Sequence, residues 1–179
     1  TDGGQAVHTA SKQIAGLIGF AGLKLRTSTR VGAKTLAALG GQPVAMPPAQ
    51  VTEAIAKGVV DGSLGAWELV YPTKLSEVTK FHLQPDTGVA YPTATVLAVL
   101  MNKQKYDGLP ADLKAIVDKT TGEVMVGKFG AMFDEVAADT KKRIAAQGNK
   151  ITTLSATQVT AMKQATASVE DEWAKQVGE

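Results

Sequence analysis

Cysteine is absent from all 179 residues, which excludes disulfides, thiolate metal sites and cysteine nucleophiles. Histidine is nearly absent too, with His8 and His82 the whole supply. Neither falls in an H-E-x-x-H, an H-x-x-E or any closely spaced ligand cluster, so no metal site is expected. No G-x-S-x-G elbow occurs, no P-loop, and no G-x-G-x-x-G opening a helix, which removes serine hydrolases and phosphate-cradling cofactor sites. No run of apolar residues reaches the roughly 18 needed to cross a membrane as a helix. Charge of one sign is also scarce: 19 Lys and Arg stand against 17 Asp and Glu. The basic residues are dispersed beside acids in helical stretches, which argues against nucleic-acid binding. Thr1-Asp2-Gly3-Gly4-Gln5 contains neither an initiator methionine nor a signal peptide. The chain therefore reads as starting after a processing or truncation event.

What is present suits a folded domain, with 44% hydrophobic and 20% charged residues. Leu23-Lys24-Leu25-Arg26-Thr27 alternates apolar and charged side chains, the pattern of a half-buried strand. Ser28 or Thr29 is placed to cap a helix from Arg30 to about Leu39, stopped by Gly40-Gly41. Further strands are expected at 43–46, 59–62, 81–83 and 95–101, the last buried on both faces. Short helices are expected at 49–57 and 66–78. From Ala111 to Gln147 the apolar spacing is helical, with Gly122, Gly127 and Gly130 as candidate breaks. Ile151–Leu154 reads as a short strand or extended link, and Ser155 caps a final helix to about Val177. Strands alternating with helices, then a helical tail, indicate α/β.

Catalysis finds no constellation to rest on, since Asp61, Glu68, Asp86 and Asp107 all suit a solvated surface. A binding site needs a cationic donor, some hydroxyls and amides, and an aromatic wall. Arg26 can grip a carboxylate bidentately, which Lys24 cannot do with the same geometry. Trp67 and Glu68 follow the turn after the third expected strand, where open α/β sheets place ligands. The plainer readings are a surface ion pair for Arg26 and a core aromatic for Trp67. His8 and His82 read as structural or exposed, and Met46 and Met101 as core.

Several segments in register carry a family pattern. They are Gly22-Leu23-Lys24-Leu25-Arg26, Leu39-Gly40-Gly41-Gln42-Pro43-Val44-Ala45-Met46-Pro47 and Ala54-Ile55-Ala56-Lys57-Gly58-Val59-Val60-Asp61-Gly62. Lys80-Phe81-His82, Met101-Asn102-Lys103 and Leu109-Pro110-Ala111-Asp112-Leu113 follow in the same order. Together they resemble the DctP-type extracytoplasmic solute-binding proteins of tripartite ATP-independent periplasmic (TRAP) transporters, in their carboxyl-terminal portion. The resemblance implies part of a two-lobed periplasmic binding-protein fold, with the amino-terminal part of the first lobe absent. Residues 1–7 would be a crossing segment, 8–80 the second lobe, and 81–94 a second crossing. Residues 95–179 would return to the first lobe with long carboxyl-terminal helices.

The resemblance also implies a role for each candidate residue. Arg26 would form the salt bridge to a ligand carboxylate. Many relatives carry a second arginine on the preceding crossing segment, where this chain has Gln5. Ser63-Leu64-Gly65-Ala66-Trp67-Glu68 is similar to the branch of the family with Pro-Trp-Glu. Gln5 and Ser63 would then supply secondary hydrogen bonds, and Trp67 would pack on the substrate beside Glu68. The implied function is periplasmic capture of a small organic acid, a monocarboxylate of aromatic or 2-oxo/2-hydroxy type. Delivery to an integral membrane TRAP permease would follow, with no catalysis, cofactor or metal. A two-lobed sensory domain, or an enzyme on the same scaffold, is the alternative. The apolar segment 95–101 would need a cover, either the amino-terminal lobe or a second copy of the chain.

Overall fold

The computed structural model describes residues 4–86 and 93–178. The parts of both expected crossing segments at 1–3 and 87–92 lie outside the described residues. The elements in chain order are β1 (Gln5–Thr9), β2 (Lys24–Thr27), α1 (Arg30–Ala38), β3 (Gln42–Ala45), α2 (Val51–Ala56), β4 (Gly62–Ala66), α3 (Leu75–Val78) and β5 (Phe81–Pro85). They continue as α4 (Lys103–Asp107), α5 (Ala111–Thr120), α6 (Glu123–Ala146), β6 (Lys150–Leu154) and α7 (Ala156–Val177). Single 3-10 turns cover Leu17–Phe20, Pro48–Gln50 and Trp67–Leu69. The strands form one sheet in the order β3-β2-β4-β1-β5-β6. β1 runs antiparallel to both its neighbours, while the other pairings are parallel. The fold is α/β, as the alternation of elements predicts.

Strand alternation divides the chain's apolar residues between two cores. Val7, Leu25, Leu64, Leu83 and Leu154 point to one face, where Leu36 of α1, Leu39 just after it, and Val159 and Met162 of α7 cover them. Ala6 points to the other face, under Val51 and Ile55 of α2, Trp67, and Ala137 and Ile144 of α6. Both helices of the first layer, α1 and α7, start at caps that the sequence predicts. Thr29 accepts from the Gly32 amide at 2.9 Å, and Ser155 with Gln158 forms a capping box at the start of α7. Gly40 ends the α1 turn at φ 88°, a backbone region that favours glycine.

Several expectations change, among them the helix at 66–78, which is a 3-10 turn and the short α3, and Met101 as core, which is 52% exposed. The third strand is Gly62–Ala66 rather than 59–62. Val59 and Val60 both donate to the Ala54 carbonyl, closing the end of α2 and leaving neither amide for a sheet ladder. The helical region from Ala111 is two helices split at Gly122 (φ 66°), and Gly127 and Gly130 leave α6 uninterrupted. Residues 95–101 form no strand, with Val99 91% and Leu100 87% exposed. An extended segment becomes a strand only by laddering with another, and this one meets β1 only at its start, through Gln5 and Thr95, with no described strand paired along it. No helix among the described residues is long and apolar enough to cross a membrane.

Candidate functional site

β2 brings Arg26 to the α6-covered face of the sheet by alternation. Lys24 stays exposed, while Leu25 is buried in the opposite core. Lys24 and Arg26 share a face by strand alternation, but their environments differ. Lys24 lies at the strand's start, where its amide bonds the Asp61 carboxylate at 2.7 Å. Arg26 is 3% exposed. Its Nε donates to the Met46 carbonyl at 2.9 Å, just past the end of β3. That bond fixes the plane of the guanidinium. Nη2 is buried with no hydrogen-bond partner among the described residues. Burial lowers the basicity of the group. A buried cation with an unanswered donor favours an anion strongly, because that anion would restore the hydrogen bonding and charge balance lost on leaving water.

Arg26 belongs to a row running straight across the sheet. Val44 pairs with Arg26, Arg26 with Ser63, Ser63 with His8, His8 with His82, and His82 with Ile151. Four polar side chains thus lie side by side in the interior of one face. Ser63 is 1% exposed, and its hydroxyl donates to the Leu64 carbonyl at 3.1 Å. The structure therefore brings Ser63 next to Arg26.

The other candidates sit elsewhere. Trp67 is 1% exposed. Its ring lies edge-on to His8 at 5.0 Å and 5.3 Å from His82, with Lys141 of α6 5.6 Å above it. It is a wall of the second core, as the plainer reading of a tryptophan there has it. Glu68 follows it, half-buried, in the same 3-10 turn. Gln5 sits at the start of β1 with its side chain on the opposite face from Arg26. There it bonds Thr95 Oγ1 at 2.5 Å and lines a small cavity of about 30 Å³ with Val7, Leu64 and Leu83. The sheet separates Gln5 from Arg26.

From sequence alone, the joining of His8 to His82 was missed. Their Nδ1 atoms are 2.8 Å apart although 74 residues separate them in sequence. The residues before His8 read as a polar crossing rather than a strand, so nothing placed the two rings in register. The alternation Ala6-Val7-His8-Thr9 was the available signal.

The comparisons with known proteins agree on one lineage. The family model described as "DctP: Bacterial extracellular solute-binding protein, family 7" matches residues 1–176. The C4-dicarboxylate-binding periplasmic protein DctP of Rhodobacter capsulatus is 30% identical over 183 aligned residues, covering 99% of this chain and 52% of that protein. A TRAP solute-binding protein from Rhodoferax ferrireducens, solved with copurified benzoate, superposes with a TM-score of 0.87 at 32% identity. The match covers 98% of this chain and 54% of that one. A marine metagenome TRAP solute-binding protein specific for aromatic acid ligands, solved with 3-hydroxybenzoate, gives 0.84 at 31% identity, over 98% and 54% of the two chains. The chain spans about half the length of the relatives it matches.

Proposed function

This chain belongs to the DctP family of bacterial extracellular solute-binding proteins, and from that premise we propose that it supplies one side of a periplasmic site for an aromatic monocarboxylate. The observation that carries the reading is the buried Nη2 of Arg26, a charged donor without a protein acceptor among the described residues. A carboxylate fits that need, since a planar guanidinium pairs with it through parallel N–H···O bonds. Nε is already committed to Met46. The carboxylate therefore approaches from the Nη side, with Ser63 beside it in the row.

An aromatic body is favoured over a C4 dicarboxylate on two grounds. Arg26 is a single buried guanidinium, with Gln5 turned to the other side of the sheet where many family members have a second arginine. Solved relatives above 30% identity hold aromatic acids, benzoate in one and 3-hydroxybenzoate in another. The Rhodobacter relative's printed name points to C4 dicarboxylates, so that class is the competing outcome.

The rest of the two-lobed protein would close over Arg26 and exclude water, which strengthens the ion pair. It would also cover the apolar side chains now exposed at Val96, Leu97, Val99 and Leu100. In this reading the chain from residue 95 reaches toward the first lobe before β6 and α7 return to the sheet, and the loaded protein docks on an integral membrane TRAP permease. Native mass spectrometry of the complete protein, purified without added ligand, tests the substrate class. A bound mass of an aromatic acid is expected. A bound C4 dicarboxylate would transfer the site to the other class.

A further inference from the structure

The two histidines missed from sequence form, with their neighbours, a hydrogen-bond chain in which every proton can be assigned. His8 Nε2 lies 3.2 Å from the Gly65 carbonyl. A carbonyl only accepts, so Nε2 carries the proton and His8 Nδ1 is left as an acceptor. His82 Nδ1, 2.8 Å away, must therefore donate. That leaves His82 Nε2 as an acceptor, and it faces the amide nitrogen of Asn149 at 3.3 Å. The second proton of that amide goes to the Thr79 carbonyl at 3.1 Å, which fixes the orientation of Asn149. The direction runs one way, from the loop before β6, through β5 and β1, into the backbone of β4.

We propose that His8 and His82 are positioning residues: a neutral pair of opposite tautomers that clamps β4 beside Arg26 and releases it on taking up one proton. Describing them as positioning residues rests on Arg26 being the anion contact; the tautomers and the proton response do not. A proton added to His8 Nδ1 would set two N–H groups against each other across 2.8 Å. One added to His82 Nε2 would set its N–H against the Asn149 amide. Either loss loosens the chain's hold on Gly65, two residues along β4 from Ser63, the residue paired to Arg26.

The surroundings keep the pair neutral. Lys80 precedes β5 beside His82, Lys141 of α6 stands over Trp67, Arg26 lies two strands away, and Glu68 follows Trp67 in the covering turn. Burial, with the partner ring adjoining, pushes His8 down to about 3. Burial, with Lys80 beside it, pushes His82 down to about 4. Both lie below the 6.5 of a solvated imidazole. The unfolded chain therefore binds more protons than the native one between those values. The pair's contribution is fully present above 6.5 and is lost as the pH falls through that window.

Nitrogen-15 NMR of the full chain without ligand tests this separately from any binding reading. At pH 7 the His8 ring is expected in the Nε2–H form and the His82 ring in the Nδ1–H form, with a scalar coupling between the two Nδ1 nuclei. On acidification that coupling should vanish as the Arg26 Nε–H, bonded to Met46, begins to exchange at least about tenfold faster while α7 amides stay protected. A charged ring or the other tautomer at pH 7 overturns the proposal. So does Arg26 protection that survives protonation of the pair, or that is lost only together with α7.

Discussion

A guanidinium buried with one nitrogen unanswered weakens an empty site, because its desolvation is only partly repaid by the bond from Nε to Met46. Replacing Arg26 with an apolar residue of similar length removes that cost. Arg26→Met should leave the ligand-free thermal midpoint unchanged or raise it, by up to about 1–4 kcal/mol in stability. Thermal unfolding followed by circular dichroism checks this, and a clear loss of stability would mark Arg26 as part of the scaffold. At this scale Arg26 was legible through the alternation Leu23-Lys24-Leu25-Arg26 and the family pattern around it. Its anchor on Met46 was not legible, since a backbone carbonyl 20 residues away leaves no mark on a sequence. Trp67 shows the limit in the other direction. An aromatic after a turn suits either a pocket or a core, and only packing against His8 and His82 decides which side of the ring faces protein.

β4 is the element on which the row of polar residues depends, and Gly62 governs how closely it can run to β1. A Cβ at Gly62 would meet the His8 carbonyl at 2.2 Å and Thr9 Cα at 2.9 Å, both backbone atoms that cannot swing aside. Gly62→Ala should therefore force the strands apart and destabilise the chain by about 1–3 kcal/mol, read as a lower urea midpoint. An unchanged midpoint would contradict the close β1–β4 approach. Helix termini with side-chain caps, Thr29 and Ser155, were readable because the cap residue and its bond are local in sequence. The start of β4 was displaced because Val59 and Val60 look like strand residues, yet their amides close the end of α2. Residues 95–101 have strand composition without a strand ladder, and pairing is a property of two segments that one segment cannot carry alone.

The described residues form one six-stranded sheet with a core on each face. The sheet, the two cores and the lineage agree, and the chain spans about half the length of the relatives it matches. The α/β class was legible from the order of elements, and the family from motifs kept in register. The single reversed strand β1, which places His8 between β4 and β5, was not, because it opens the chain in a polar stretch. The central claim is that Arg26 holds a carboxylate when both lobes are present. Isothermal titration of benzoate into the complete protein, wild type against Arg26→Lys, tests it most directly. One tight site is expected for the wild type, with a loss of about 2–5 kcal/mol in the variant, since a point charge cannot replace the planar donor in a buried pair. Equal benzoate affinity in the two proteins would contradict it.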